Sequence, residues 1–341
     1  MSPTVAEASR RLGDAIDLSK AAHWDPVGLQ VGDPAAPVDR VAVCHEVTPD
    51  VVAAATQADV DLLVSYHPLL FSPTKRFVQG GSAAGRAFQL ATAGVALHVV
   101  HTAFDVAPGG CAEALAEALG VPEPSEFGMA QRPESRKIVT YLDLAPGEDA
   151  MAALDTSRIG LSDSQGLWSM RSGDDPARLE MTVPVASADT VIAALAAGYH
   201  RHDPHFEIFH VRPIGGFVGR VGHLPEPVSL RSFVSRTNEV LGPQIRVAGD
   251  AESLIATVAV VPGSGGDLIA AARGAGADVL VTGDVSHHRA HDALQRGLAV
   301  IDAGHAATER PGVARLYSLI SSMFEKVTDL THIEASPWGS E

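Results

Sequence analysis

Four residues of this chain carry side chains that bind metal ions well, and each follows an apolar run: His67, Asp105, His305 and Glu309. Imidazole nitrogen and carboxylate oxygen are the donors of catalytic zinc, iron and manganese sites. A carboxylate can also bridge two ions, a common way of building a two-metal site. His305 and Glu309 stand at i and i+4, so on a helix they share a face. If the helix begins after His305, Glu309 still lies within its first turn. Each residue alone has an ordinary alternative: a satisfied strand-end histidine, an aspartate capping the turn before Pro108, a glutamate placed by the helix dipole. The chemical reading gains weight because three separate strand ends carry ligand-type residues to what should be one edge of a sheet.

Other clusters are weaker. His287, His288 and His291 with Asp284 fit equally a solvated helix start and a lining of the site, where one histidine would move protons. His101 is the other candidate for that proton-moving role. The run from His200 to His205 reads as a solvated turn, with adventitious metal binding as the lesser option, and Asp25 as a turn residue, with a site role ranked below that, in a loop pinned to the core by Trp24 and Leu29. Pro262-Gly263-Ser264-Gly265-Gly266 reads as a tight strand-to-helix turn, with phosphate binding by its amides as the lesser option. It lacks the G-K-[ST] ending of a P-loop and the GxGxxG spacing of a dinucleotide site. No GxSxG elbow is present, which leaves a serine hydrolase without support.

The elements that must position these residues alternate between strand and helix, the mark of mostly parallel sheets covered by helices. Val60–Val64 is an apolar run of the kind buried in parallel sheets, ended by Ser65-Tyr66-His67-Pro68. Proline cannot continue the ladder, so His67 is expected at the carboxyl end, which in open α/β sheets faces the ligand crevice. Val41–Cys44, Val95–Val100, Ala256–Val261, Asp278–Val281 and Ala299–Ile301 read as further strands. Thr48-Pro49 caps and opens a helix. Between these outer segments, Val121–Arg136 has the composition of a linker. Ile138–Leu142, a helix at Glu148–Asp155, Leu179–Val185, a helix ending at Gly198, and Phe206–Val211 then suggest a β-α-β-β-α-β order. The expected plan is α/β: two similar lobes with mostly parallel sheets flanked by helices, at 1–130 and 214–341, and an inserted ferredoxin-like α+β domain at 131–213.

The totals set outer bounds. With 46% hydrophobic and 19% charged residues the chain can bury a large core. A net charge of −16 opposes non-specific nucleic-acid binding. Cys44 and Cys111 are too few for a disulfide framework and read as buried free thiols of a reducing compartment. No signal peptide is visible, and no apolar run approaches the roughly 20 residues that span a bilayer. A cytoplasmic, soluble protein with no membrane contact is expected.

Taken together, Trp24-Asp25-x-Val27-Gly28-Leu29, Ser65-Tyr66-His67-Pro68-Leu69-Leu70-Phe71, His101-Thr102-Ala103-Phe104-Asp105, Thr282-Gly283-Asp284 to His288, and Gly304-His305-x-x-Thr308-Glu309 resemble the NGG-interacting-factor-three-like proteins, also called GTP cyclohydrolase I type 2 homologues or dinuclear metal centre hexameric proteins. The segment from Arg178 to Ile208 resembles, in shortened form, the PII- or CutA-like insert of longer members. The resemblance implies two lobes facing a dinuclear centre, a toroidal homohexamer, and metal ligation by His67, Asp105, His305 and Glu309. The family's additional ligand is a histidine directly before the position of His67, where this chain has Tyr66; Pro26 stands where the family usually has asparagine. Tyr66 either ligates as phenolate, its ordinary pKa of about 10 lowered by an ion, or hydrogen-bonds a water, or leaves room for His101. One or two divalent ions (Zn, Fe or Mn) are therefore expected. The leading expectation is a metal-dependent hydrolase acting on a nucleotide or similar small molecule through a metal-activated water. The alternatives are a non-catalytic metal-binding regulator or metal-handling hexamer, and a structural hexamer with a vestigial site.

Overall fold

The computed structural model describes residues 2–129, 135–142, 168–170, 177–198, 205–211, 216–333 and 337. The chain divides into two compact units. One joins residues 1–130 to 215–341, and the other is the stretch 131–214 between them.

The larger unit holds two sheets. The first begins with helix α1 (Val5–Ile16), whose Val5, Ala8, Leu12 and Ile16 fall at helical spacing and are buried. Strands β1 (Gly28–Val31), β2 (Val41–Cys44), β3 (Leu62–Ser65) and β4 (Ala96–Val99) follow, with helices α2 (Pro49–Gln57) and α3 (Ala83–Thr92) in the crossovers. β2, β3 and β4 are buried on both faces along their whole length, as all-apolar runs of a covered parallel sheet must be. They pair in parallel, while β1 pairs antiparallel to β4. The segment read as a plain loop around Leu29 is therefore an edge strand, missed because Gly28 and Gly32 frame it with left-handed φ values. Thr48 caps α2 as expected, accepting from the Val51 amide with Pro49 in the first turn. Beyond β4, α4 (His101–Val106) and α5 (Cys111–Ala118) lead toward the second sheet.

The second sheet has the order β11-β14-β13-β12-β10-β5. Its strands are β5 (Ser125–Met129), β10 (Phe217–Ser229), β11 (Arg246–Ala248), β12 (Leu254–Ser264), β13 (Val279–Gly283) and β14 (Ala299–Asp302). β12, β13 and β14 are parallel; β5, β10 and β11 run antiparallel to their neighbours. Two of these strands escape a reading of the sequence. β5 lies in the supposed linker, and β10 contains Pro225 and Pro227, which cannot donate to a ladder; its register slips between His223 and Val228, where they sit. Arg220 on β10 is buried yet satisfied, reaching Glu113 Oε1 on α5 and the carbonyls of Phe217 and Gly219. The sheet thus covers α5, whose Leu115 and Ala116, with Leu119 just past its end, enter its core.

The second unit is an antiparallel sheet of β6 (Ser135–Leu142), β7 (Trp168–Met170), β8 (Ala177–Pro184) and β9 (Phe206–Val211), in the order β7-β8-β6-β9, with helix α6 (Val185–Gly198) after β8. β7 falls in a polar stretch that gives no strand signal. The helix expected at Glu148–Asp155 lies outside the described residues. So do His200 and His202. Within this unit the buried Glu180 carboxylate is paired with Lys137 and Arg178.

The larger unit closes with α7 (Leu230–Leu241), α8 (Ile269–Gly274), α9 (His287–Gln295), α10 (His305–Met323) and a last strand, β15 (Val327–Asp329). β15 returns to the first sheet and pairs in parallel with β2. The fold is mixed α/β with sheets flanked by helices. Among the described residues, no helix is long and apolar enough to cross a membrane.

Candidate metal centre

The carboxyl ends of the parallel strands of both sheets meet at Glu309. This residue sits one turn into α10, directly above His305, the helix's first residue, so the i, i+4 pair shares a face. Its side chain is 3% exposed, and three imidazoles surround it. His45 Nε2 lies 2.8 Å from Oε2, His305 Nε2 lies 3.0 Å from Oε1, and His67 Nε2 lies 3.4 Å from both oxygens.

The rings of His67 and His305 are held from behind. Glu46 Oε2 takes His67 Nδ1 at 2.8 Å, and Asp284 Oδ2 takes His305 Nδ1 at 2.7 Å. Fixing the second ring nitrogen in this way sets the tautomer and aim of a histidine ligand. His67 reaches its place because Tyr66 and His67 extend the parallel ladder past β3: their amides donate to the carbonyls of Cys44 and His45 at 3.0 Å each. His45 and His67 are therefore neighbours across two strand ends, with ring centroids 5.1 Å apart.

The second lobe makes room with glycine. A Cβ at Gly263 would lie 2.6 Å from Glu309 Oε1 and 3.3 Å from His305 Nε2, and its φ of +63° already favours glycine. A Cβ at Gly283 would meet the His305 backbone nitrogen at 2.6 Å. Thr308 and Thr282 tie the Pro262–Gly266 turn in place, accepting from the Gly263 amide at 2.9 Å and the Gly265 amide at 2.8 Å. This turn was expected to be tight, and the Gly263 and Gly265 amides are taken up by these threonines.

Tyr66 and Asp105 form a second layer. The Tyr66 hydroxyl donates to Asp105 Oδ1, and both residues are buried. Burial first, then the charge of Asp105, pushes the phenol well above its ordinary range, so in the metal-free protein Tyr66 is a phenol. Burial raises the Asp105 carboxyl to about 6, against the pull of His101 and the Tyr66 hydrogen bond. His101 packs edge-on against Tyr66 and His67, and its Nδ1 lies 2.9 Å from Asp25 Oδ1. Asp25 also accepts from the Thr102 amide and hydroxyl. His101 holds a φ of +28° and Asp284 one of +55°, conformations that side-chain-bearing residues adopt rarely and that gather at functional sites.

Burial and hydrogen bonding pull the groups of this site in opposite directions. Burial alone would lower His67, but hydrogen bonds to Glu309 and Glu46 outweigh it and raise the imidazole to about 10. The Glu309 hydrogen bond, opposed by burial, raises His305 to about 9. Burial alone would raise Glu309; its bonds to His305, His45 and His67 outweigh this and hold it well below the usual carboxylate range. Donor atoms of His45, His67 and Glu309 all lie within 4.8 Å of one another, so this group could hold a metal ion. Two imidazoles and a carboxylate, buried and backed by further hydrogen bonds, fit a divalent cation chemically.

The structure thus brings His67, His305 and Glu309 together, and attaches Asp105 through Tyr66. His288 sits on the exposed start of α9, its ring against His287; among the described residues no contact joins it to Glu309. Of that cluster only Asp284 reaches the site, and the cap of α9 is Ser286. Three residues were missed or undervalued. His45 and Glu46 end the apolar run of β2 just as Tyr66 and His67 end that of β3, and that parallel was the available signal. Asp25, read as a turn residue, has a buried side chain bound to His101. Trp24, expected to pin its loop to the core, is 51% exposed and packs on Phe71 and His101.

The family model Duf34/NIF3 (NGG1p interacting factor 3) matches residues 3–337. A Mycobacterium tuberculosis protein named GTP cyclohydrolase 1 type 2 homolog is 32% identical, the match covering 93% of this chain and 93% of the relative. A Bacillus subtilis protein of the same name is 31% identical over 86% of this chain and 87% of its own. NIF3-like protein 1 of Bos taurus is 28% identical, with 92% and 86% covered. Among solved structures, a Bacillus cereus protein related to NIF3 superimposes with a TM-score of 0.69 at 25% identity, covering all of both chains.

Proposed function

This chain belongs to the Duf34/NIF3 family, and from that premise we propose that it is a metal-dependent hydrolase acting on a nucleotide or similar small molecule. One observation carries the reading: three histidines from different strand and helix ends converge on the single buried carboxylate of Glu309. His67, Asp105, His305 and Glu309 are the proposed residues that would hold one or two divalent ions (Zn, Fe or Mn). Such an ion supplies a Lewis acid that lowers the pKa of a water toward about 7. Glu46 and Asp284 hold the rings of His67 and His305 in aim. His101, fixed at Nδ1 by Asp25 and edge-on to His67, is the group assigned to take or give a proton there. The relatives' name, GTP cyclohydrolase 1 type 2 homolog, supports a purine nucleotide as the first substrate to try.

The same reading places the protein in the cytoplasm as a toroidal homohexamer. It takes the unit at 131–214 as a ferredoxin-like, PII- or CutA-like insert, supported by its antiparallel strand order, in which the unit's first and third strands in sequence, β6 and β8, lie side by side at the centre. The test is metal content per protomer of protein purified without chelator, beside His67→Ala and Glu309→Ala, followed by a nucleotide turnover screen of the loaded protein. Bound metal lost in both variants, with turnover in the parent, is the expected result. Bound metal with no turnover across nucleotides would overturn the hydrolase reading.

A further inference from the structure

Residues 45 and 66 occupy adjacent places at the ends of two parallel strands, and their side chains have divided two tasks. The Tyr66 hydroxyl is committed to Asp105. The His45 imidazole, edge-on to the Tyr66 ring with centroids 5.5 Å apart, points its Nε2 at Glu309 Oε2. Both residues are buried, and the backbone ladder ties them: Tyr66 donates to Cys44, and His67 to His45. An imidazole at either position would start from nearly the same height above the sheet. Only the one at 45 exists in this chain.

We propose that His45 is a metal ligand, completing a two-histidine, one-carboxylate donor set with His67 and Glu309, and that Tyr66 is not a ligand but holds Asp105. The inference rests on the metal reading above and deepens it by adding a ligand from the end of β2. Four observations support it. One donor atom from each of His45, His67 and Glu309 lies within 4.8 Å of the other two. His45 lies closer to Glu309 than His67 does. The His45 side chain is 5% exposed, so its nitrogen faces the site and not solvent. The phenol proton has a partner elsewhere, so no unpaired group asks Tyr66 to turn toward Glu309.

The experiment is a zinc competition titration against a chromophoric chelator, with the d–d absorption of cobalt-loaded protein as a report on ligand number. The proteins are the parent, His45→Leu, Tyr66→Phe and the double exchange His45→Leu with Tyr66→His. Far-UV circular dichroism and urea unfolding of the metal-free forms check that each is folded. Expected are a tenfold or greater loss of zinc affinity with an altered cobalt spectrum in His45→Leu, affinity within threefold of the parent in Tyr66→Phe, and recovery of most of the loss in the double exchange. Parent-like affinity and spectrum in His45→Leu overturn the proposal, as does a loss in Tyr66→Phe equal to that in His45→Leu. If His45→Leu does not fold, His45→Gln, which keeps a polar side chain, is read by the same criteria. His67→Ala separates the two levels: zinc lost there but kept in His45→Leu overturns only the role of His45. A parent that binds no zinc, iron or manganese overturns both.

Discussion

At the ends of β2, β3 and β4 the first lobe presents His45, Tyr66, His67 and His101. At the ends of β12, β13 and β14 the second lobe presents Gly263, Gly283 and Gly304. The two parallel cores are built alike, and their ends do opposite things. The first lobe brings rings, each aimed by a carboxylate or a strand neighbour. The second brings bare backbone close enough that α10 can set His305 and Glu309 among those rings. A metal centre needs donors and the absence of everything else in equal measure, and here the two requirements fall on different halves of the chain.

The strongest way to break this comparison is Glu309→Gln. If the buried Glu309 carboxylate is what the rings share, zinc affinity in a competition titration drops a hundredfold or more, about 3 kcal/mol. Affinity near that of the parent would mean that the first lobe's histidines suffice. Acid sharpens the contrast inside the first lobe. His98 on β4 is buried against Ser9, and burial lowers it to about 4. Unfolding frees it to take a proton at about 6.5, so stability is full above that pH and is lost as pH falls toward 4, by about 3 kcal/mol. The site histidines run the other way. His67 and His305 are raised, so in the metal-free protein their contribution is full below about 6.5 and is lost as pH rises through 9 to 10. Urea unfolding at pH 7 and 4.5 should show the acid loss in the parent and not in His98→Leu.

Two glycines supply the smaller tests. Gly263→Ala places a methyl group 2.6 Å from the Glu309 oxygen at a φ of +63°, and should weaken zinc binding by a factor of tens. Gly297→Ala has a comparable φ of +71° but open space around it. It should cost about 1 kcal/mol of stability in urea and leave zinc affinity unchanged. Equal effects of the two on zinc would show that the second lobe's glycines serve chain direction and not the site.

Much of this was open to reading because the chemistry sits where periodicity changes. His67, His305 and Glu309 each interrupt an apolar pattern with a ligand-type residue, and strand ends of parallel sheets share an edge. His45 ends such a run too, but Cys44-His45-Glu46 runs straight into the Thr48-Pro49 cap, and the helix signal explained the polar residues away. Asp25 was hidden for a different reason: in a segment dense with proline and glycine, an aspartate has a sufficient local role, and only tertiary structure shows that its carboxylate turns inward to His101. β5 and β10 were obscured by Pro and Gly that edge positions and a register slip tolerate. No local signal in Ser125–Met129 states that a strand distant in the chain will come to pair with it.

The return of β15 to the first sheet bears on how the molecule is made. β2 lies at the sheet's edge until Val327–Asp329 arrives, and Lys326 and Asp39, which pair beside this junction, are 287 residues apart. At a synthesis rate of about 5–20 residues per second, the nascent first lobe carries an open, wholly apolar edge for tens of seconds. Such an edge is a template for pairing with another chain. Truncation just before Val327 would spare every proposed ligand and yet leave that edge permanently bare, so its expected phenotype is insolubility in the cell and not loss of metal.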